Sequence, residues 1–144
     1  MRNWTGVMKS IMQLQTLLFS SGTPLRTQDG LNFTQEKALL AIYDNPKKSQ
    51  KEVTFYLNLD KGAVSKIINT LVEKGYVERI PSPKDRRITL LDLTEKGKIE
   101  TFKIRKKFSK HIEEVLSCLP EDRKQELYDH LDQVVKITEE IIDK

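Results

Sequence analysis

The chain has 144 residues, 38% of them hydrophobic and 32% charged, which is enough apolar material for one packed domain and excludes a disordered chain. Two histidines and one cysteine, with no apolar run near ~20 residues, exclude a disulfide framework, a thiolate metal cage and a membrane span, and the opening MRNWTGVMKS lacks the layout of a secretion signal, which points to the cytoplasm. The formal net charge of +4 is unevenly spread, with ten Lys/Arg against five Asp/Glu over residues 47–87 and four against ten over residues 111–144. A basic middle suits a polyanion while an acidic end turns away from it, although simple solvation of two surfaces would give the same bias.

Near the amino end Val7, Ile11, Leu14 and Leu18 recur at helical spacing, and Met8, Met12, Leu17 and Phe19 widen the apolar stripe beyond one face. SSGTP, Ser20 to Pro24, breaks that helix, and a polar loop runs on to Gly30. Thr34 reads as the cap of a second helix that buries Ala38, Leu39, Ile42 and Tyr43 and ends at Asn45–Pro46. SQKE, Ser49 to Glu52, has capping-box spacing and opens a short helix through Leu57. Asn58 tolerates a left-handed backbone, and Asp60 then caps a further helix, so the two helices form a helix-turn-helix.

In the second of these, Ala63, Val64, Ile67, Ile68, Leu71 and Val72 make one buried stripe, while Lys61, Ser65, Lys66, Asn69 and Thr70 occupy the other side. Gly75 closes the helix, Tyr76–Ile80 reads as a strand and Ile88–Leu93 as its partner. Between them PSPKDRR makes a hairpin whose tip is Lys84, Asp85, Arg86 and Arg87. Thr94 caps a long helix to about Leu119, with Ile104, Phe108, Ile112, Val115 and Leu119 near heptad spacing. After Pro120 and the acidic pair Glu121–Asp122, a last helix carries Leu127, Leu131, Val134 and Ile141. The expected fold is therefore mainly α with a small β-hairpin wing.

A helix entering the DNA major groove needs short polar or basic side chains on its outer face, because long apolar ones clash and acidic ones repel phosphate. Ser65, Lys66, Asn69 and Thr70 meet that need, and the Asn69 amide is suited to a bidentate contact with adenine. Gly62 in the first turn allows backbone to approach a phosphate. A helix-turn-helix followed at once by a basic hairpin is a winged-helix arrangement, and arginines such as Arg86 and Arg87 at a wing tip suit the concentrated negative potential of a narrow minor groove.

The chain resembles the MarR family of winged-helix transcriptional regulators over nearly its full length, most closely in DKGAVSKIINTLVEKGYVERIPSPKDRRITLLDLTEKG. That family has an Asp-x-Arg wing tip followed by Leu-Thr-x-x-Gly, matched here by Asp85, Arg87, Leu93, Thr94 and Gly97. The resemblance implies that Arg87 enters the minor groove with Asp85 orienting it, that Ser65, Lys66 and Asn69 lie in the major groove, and that the protein is a homodimer. It further implies one domain over 1–144 in two lobes, a winged helix-turn-helix of residues 33–93 and dimerisation helices of residues 1–22 and 95–144. The excess apolar surface of the first and last two helices agrees with dimerisation. A repressor on a near-palindromic operator, released by a small-molecule effector, is the function implied. The sequence departs from the family at Asn58, where glycine is common, at Val53–Thr54, where Leu-Ala is common, and at Gly62, where serine or another polar residue is common.

Other residues point to simpler roles. His111 and His130 stand on different helices without the company a zinc site needs, and Cys118 has no adjacent cation and reads as inert packing. Trp4, Phe19 and Tyr43 read as core, with an effector pocket as the alternative. No phosphate loop, nucleophile elbow or facing carboxylate pair is present, which argues against an enzyme and calls for no cofactor. The rival from another class is a winged-helix protein-interaction module without direct DNA readout, docking through its acidic last helix.

Overall fold

Residues 4–19 and 30–142 are described by the structure, a computed structural model, with side chains for residues 5–16 and 30–141. The SSGTP break, most of the loop to Gly30 and the side chains of Trp4, Leu17, Leu18 and Phe19 lie outside the described residues. Helix α1 spans Trp4–Phe19 and helix α2 spans Phe33–Asp44. The cap of α2 is Asn32 rather than Thr34: its side chain accepts from Gln35 N at 3.0 Å while the Gln35 side chain accepts from Asn32 N at 3.0 Å. That reciprocal pair satisfies two of the N–H groups a helix start leaves open, and Thr34, one residue inside the helix, cannot compete with it.

After α2 the chain turns through Lys47, which takes a left-handed φ of 58° and donates its backbone N–H to Leu91 O at 3.0 Å. This turn lays down a strand absent from the sequence reading, β1, Lys48–Ser49. Helix α3, Gln50–Leu57, then starts with the capping box expected at Ser49 and Glu52. Asn58 adopts φ 52° and ψ 44°, the left-handed conformation the turn requires, and Asp60 accepts from Ala63 N at 2.9 Å to start helix α4, Lys61–Glu73. Strands β2, Val77–Pro81, and β3, Thr89–Leu93, form the wing, and the sheet order is β1-β3-β2. Pro81 lies on the edge strand β2 opposite Thr89, where its missing N–H costs no interior ladder bond.

Helices α5, Glu95–Leu116, and α6, Glu121–Ile142, complete the chain. Helix α5 ends at Leu116, three residues short of the expected Leu119, where a turn closes through Leu119 N donating to Leu116 O at 2.9 Å. Cys118 lies in that turn and is exposed, so the packing role expected of it is corrected.

The described residues divide into two compact units, one of residues 30–109 and one of α1 with residues 110–142. In the first, one core gathers Leu39 and Ile42 of α2, Val53 and Leu57 of α3, Val64, Ile68 and Leu71 of α4, and Tyr76, Val77, Leu91, Leu93 and Ile104. Truncating such a residue to alanine costs about 2–5 kcal/mol. Tyr43, expected in this core, is instead 46% exposed and lies under the Arg105 guanidinium, 5.1 Å from its ring centre, because Arg105 is anchored to Asp44 at 3.3 Å.

The junction between wing and α5 accounts for the Leu-Thr-x-x-Gly sequence. Thr94 Oγ1 donates to Gly75 O at 2.6 Å and accepts from Gly97 N at 3.0 Å, while Thr94 N donates to Tyr76 O at 3.1 Å. A Cβ on Gly97 would overlap the Tyr76 carbonyl oxygen and stand 3.0 Å from its carbon. In the other unit Val7, Met8, Ile11 and Met12 of α1 and Val134, Val135, Ile137 and Ile141 of α6 are all exposed in the single chain.

Candidate nucleic-acid interface

Helix α4 divides cleanly by face. Val64, Ile68 and Leu71 are fully buried, Ala63, Ile67 and Val72 flank them half-buried, and Lys61, Gly62, Lys66 and Asn69 are exposed, with Ser65 and Thr70 at the margin. The four-residue spacing 61, 65, 69 and 62, 66, 70 lines the outer residues along ~12 Å of one helix face at 1.5 Å per residue. Thr70 Oγ1 donates to Lys66 O at 3.0 Å, so its hydroxyl hydrogen is already committed within the helix. Gly62 has only Asp60 Oδ1, at 3.2 Å, near the space a Cβ would fill, which leaves its backbone open on the outer side.

The wing tip is built by its own hydrogen bonds. Ser82 N donates to Ile88 O at 2.9 Å and Ile88 N to Asp85 O at 2.9 Å, closing the loop beyond the last paired residues, Pro81 and Thr89. Ser82 Oγ, buried, accepts from Lys84 N at 3.3 Å. Asp85 then takes three bonds from one residue: Oδ1 accepts from Arg87 N at 3.0 Å and Arg87 Nε at 3.1 Å, and Oδ2 accepts from Arg87 Nη2 at 3.0 Å. A bidentate fork of this kind fixes the guanidinium plane. The Arg87 side chain is nonetheless 91% exposed, against 34% for Asp85. These hydrogen bonds from Arg87, side chain first and backbone second, hold the Asp85 carboxyl below its usual value, and Asp85 in turn raises the Arg87 guanidinium, so the pair is fully charged near neutral pH.

The surrounding field is positive. Among the described residues Lys61, Lys66, Lys84 and Arg86 have no ion-pair partner. A groove of about 310 Å³ between α3 and α4 is lined by Gln50, Lys51, Thr54 and Lys61. Lys51 and Gln50 were not expected there, since only the packing of α3 against α4 brings them beside Lys61. Arg79 of β2 was also missed: its Nη2 donates to Asn69 Oδ1 at 2.6 Å, tying the wing to the outer face of α4. Strand alternation carries the signal, because Arg79 shares a face of β2 with the buried Val77.

A polar helix face, unpaired cations and a presented arginine at a β-ribbon tip can engage phosphates and groove edges of a nucleic acid, and they offer no group positioned for covalent chemistry. Among the described residues no cluster of three His, Cys, Asp or Glu could hold a metal ion, and no helix is long and apolar enough to cross a membrane. His111 and His130 lie on α5 and α6, respectively.

The class these features define is the winged helix-turn-helix. A sequence model of the MarR family matches residues 29–88. The chain is 32% identical to the organic hydroperoxide resistance transcriptional regulator of Bacillus subtilis, over 67% of this chain and 71% of that protein. It is 29% identical to the HTH-type transcriptional regulator BilQ of Clostridium symbiosum, over 78% of each chain. In fold it is similar to the transcriptional repressor CouR bound to a 23-mer DNA duplex, with a TM-score of 0.70 and 24% identity over 88% of this chain and 89% of that one. The chain belongs to the MarR family of transcriptional regulators, which are DNA-binding proteins and not enzymes.

Proposed function

We propose that this regulator acts in the cytoplasm as a homodimeric repressor that reads a near-palindromic operator with α4 in the major groove and the wing in the adjacent minor groove. The observation that carries the reading is Arg87, almost fully exposed yet held in a bidentate fork by Asp85. Exposure of a long cation ordinarily means a mobile side chain, and holding it in place reduces the entropy lost on docking. Lys61, Gly62, Ser65, Lys66, Asn69 and Thr70 then face base edges and phosphates, and Lys84 and Arg86 add phosphate contacts beside Asp85 and Arg87. The repressor CouR, of the same fold and bound to a 23-mer DNA duplex, supports DNA binding by this fold.

Dimerisation is supported by the exposed apolar residues of α1 and α6, a surface that a lone chain would leave in water. A twofold axis presents two copies of α4, so half-sites lie one helical turn, ~34 Å, apart. A small-molecule effector that favours another spacing of the two helices weakens binding without unfolding either copy, by reciprocal linkage. Selection of bound duplexes from a random pool tests the reading. Enrichment of a twofold-related site with one-turn spacing is expected; an asymmetric single half-site would contradict the twofold dimer, and no enrichment would contradict DNA reading and favour a protein-interaction role.

A further inference from the structure

Asn69 is the residue of α4 best suited to read a base, and its amide is not free to choose its orientation. Arg79 Nη2 lies 2.6 Å from one amide atom. A guanidinium has five donors and no acceptor, so that atom is the oxygen and the NH₂ group points away from Arg79. A bidentate contact to adenine needs both ends of the amide, the oxygen for N6–H and the nitrogen for N7. Here the oxygen is directed at a cation. Arg79 has no carboxylate partner among the described residues, so no acid occupies its remaining N–H groups. With one lone pair of Asn69 Oδ1 taken by Arg79, the groups that Asn69 and Arg79 together offer are mostly N–H donors.

We infer that Arg79 is a specificity-determining residue, which by fixing the Asn69 amide turns its preference from adenine to guanine. Guanine offers two acceptors, N7 and O6, on its major-groove edge, and a pair offering mostly donors complements them. Adenine sets its N6 donor beside N7, and that donor would face a guanidinium. The inference rests on the reading that α4 enters the major groove.

The test is a set of anisotropy titrations of the selected duplex and its single-base variants with wild type, Asn69→Ala, Ser65→Ala, Lys66→Ala, Arg79→Met and Arg79→Lys. The position read by Asn69 is the one at which Asn69→Ala erases base discrimination. Wild type should favour guanine there by about tenfold. Arg79→Met frees the amide, and the preference should fall or pass to adenine, whereas Arg79→Lys keeps a donor against Asn69 Oδ1 and should keep guanine. Adenine preferred by wild type, or an Arg79→Met loss equal for all four bases, would overturn the inference while leaving the major-groove reading intact. Indifference of every base position to Asn69→Ala would overturn this inference, and indifference to Ser65→Ala and Lys66→Ala as well would overturn the major-groove reading with it.

Discussion

Gly97→Ala places a methyl group on the Tyr76 carbonyl oxygen, with the Tyr76 carbonyl carbon at 3.0 Å and Leu93 Cβ at 3.4 Å. Both Tyr76 atoms are backbone, so relief requires the start of α5 to move off the wing rather than a side chain to rotate. That motion breaks up the junction in which Thr94 N meets Tyr76 O at 3.1 Å, Thr94 Oγ1 meets Gly75 O at 2.6 Å and Gly97 N meets Thr94 Oγ1 at 3.0 Å. At about 1 kcal/mol net for each bond, the loss approaches about 3 kcal/mol. Alanine returns about 1 kcal/mol of helix propensity, which leaves about 2 kcal/mol of destabilisation. Urea denaturation at one fixed protein concentration measures it, with Gly62→Ala as the internal control. At Gly62 the same substitution meets no backbone, only Asp60 Oδ1 at 3.2 Å, the atom that caps α4 through Ala63 N, so the helix-propensity gain and a slightly shifted cap offset each other and the change should stay within about 1 kcal/mol of neutral. A Gly97→Ala protein as stable as wild type would refute the close-approach reasoning.

Ser49→Ala removes the cap of α3 and should cost about 1 kcal/mol, read as a lower urea midpoint at unchanged slope. The backbone N–H and then the hydroxyl of Ser49 hold the Glu52 carboxyl below its ordinary value. The folded value being the lower one, this contribution is complete above the unfolded value and is lost as pH falls through the folded one. The stability gap between wild type and Glu52→Gln should therefore hold from pH 7 to about pH 5 and then close, and a gap that widens on acidification would contradict the assignment. Asp85→Ala leaves Arg87 charged but unheld, so it should weaken operator binding several-fold without changing the melting transition by more than about 0.5 kcal/mol, by calorimetry beside a binding titration. Val134→Asp with Ile137→Asp places charge on the apolar face of α6 and should shift sedimentation from dimer to monomer.

Where a feature depends on neighbours in sequence, it could be read in advance. Ser49 with Glu52, Asp60, the left-handed Asn58, the α4 stripe and the Asp85–Arg87 tip all involve partners within a few residues, where spacing alone restricts the geometry. Thr34 misled because Asn32 and Gln35 make a complete box two residues earlier, and a lone threonine with no partner at its third position was the weaker signal. Tyr43 follows the helical repeat of α2, but the core is already filled by Leu39 and Ile42, and Arg105 from 62 residues away covers the ring instead. Strand β1 has two polar residues and exists only because Lys47 turns the chain onto β3. The Arg79–Asn69 bond crosses from strand to helix, a meeting that alternation along β2 permits and only packing decides.

Whether the α4 face and the wing bind a duplex is tested most directly by following affinity for the selected operator as salt is raised, in wild type and Arg87→Ala. A DNA reader releases counterions, so the logarithm of the affinity should fall steeply and linearly with the logarithm of salt, and Arg87→Ala should bind more weakly across sequences with a slope shallower by about 1. A flat response, identical in the two proteins, would contradict the account.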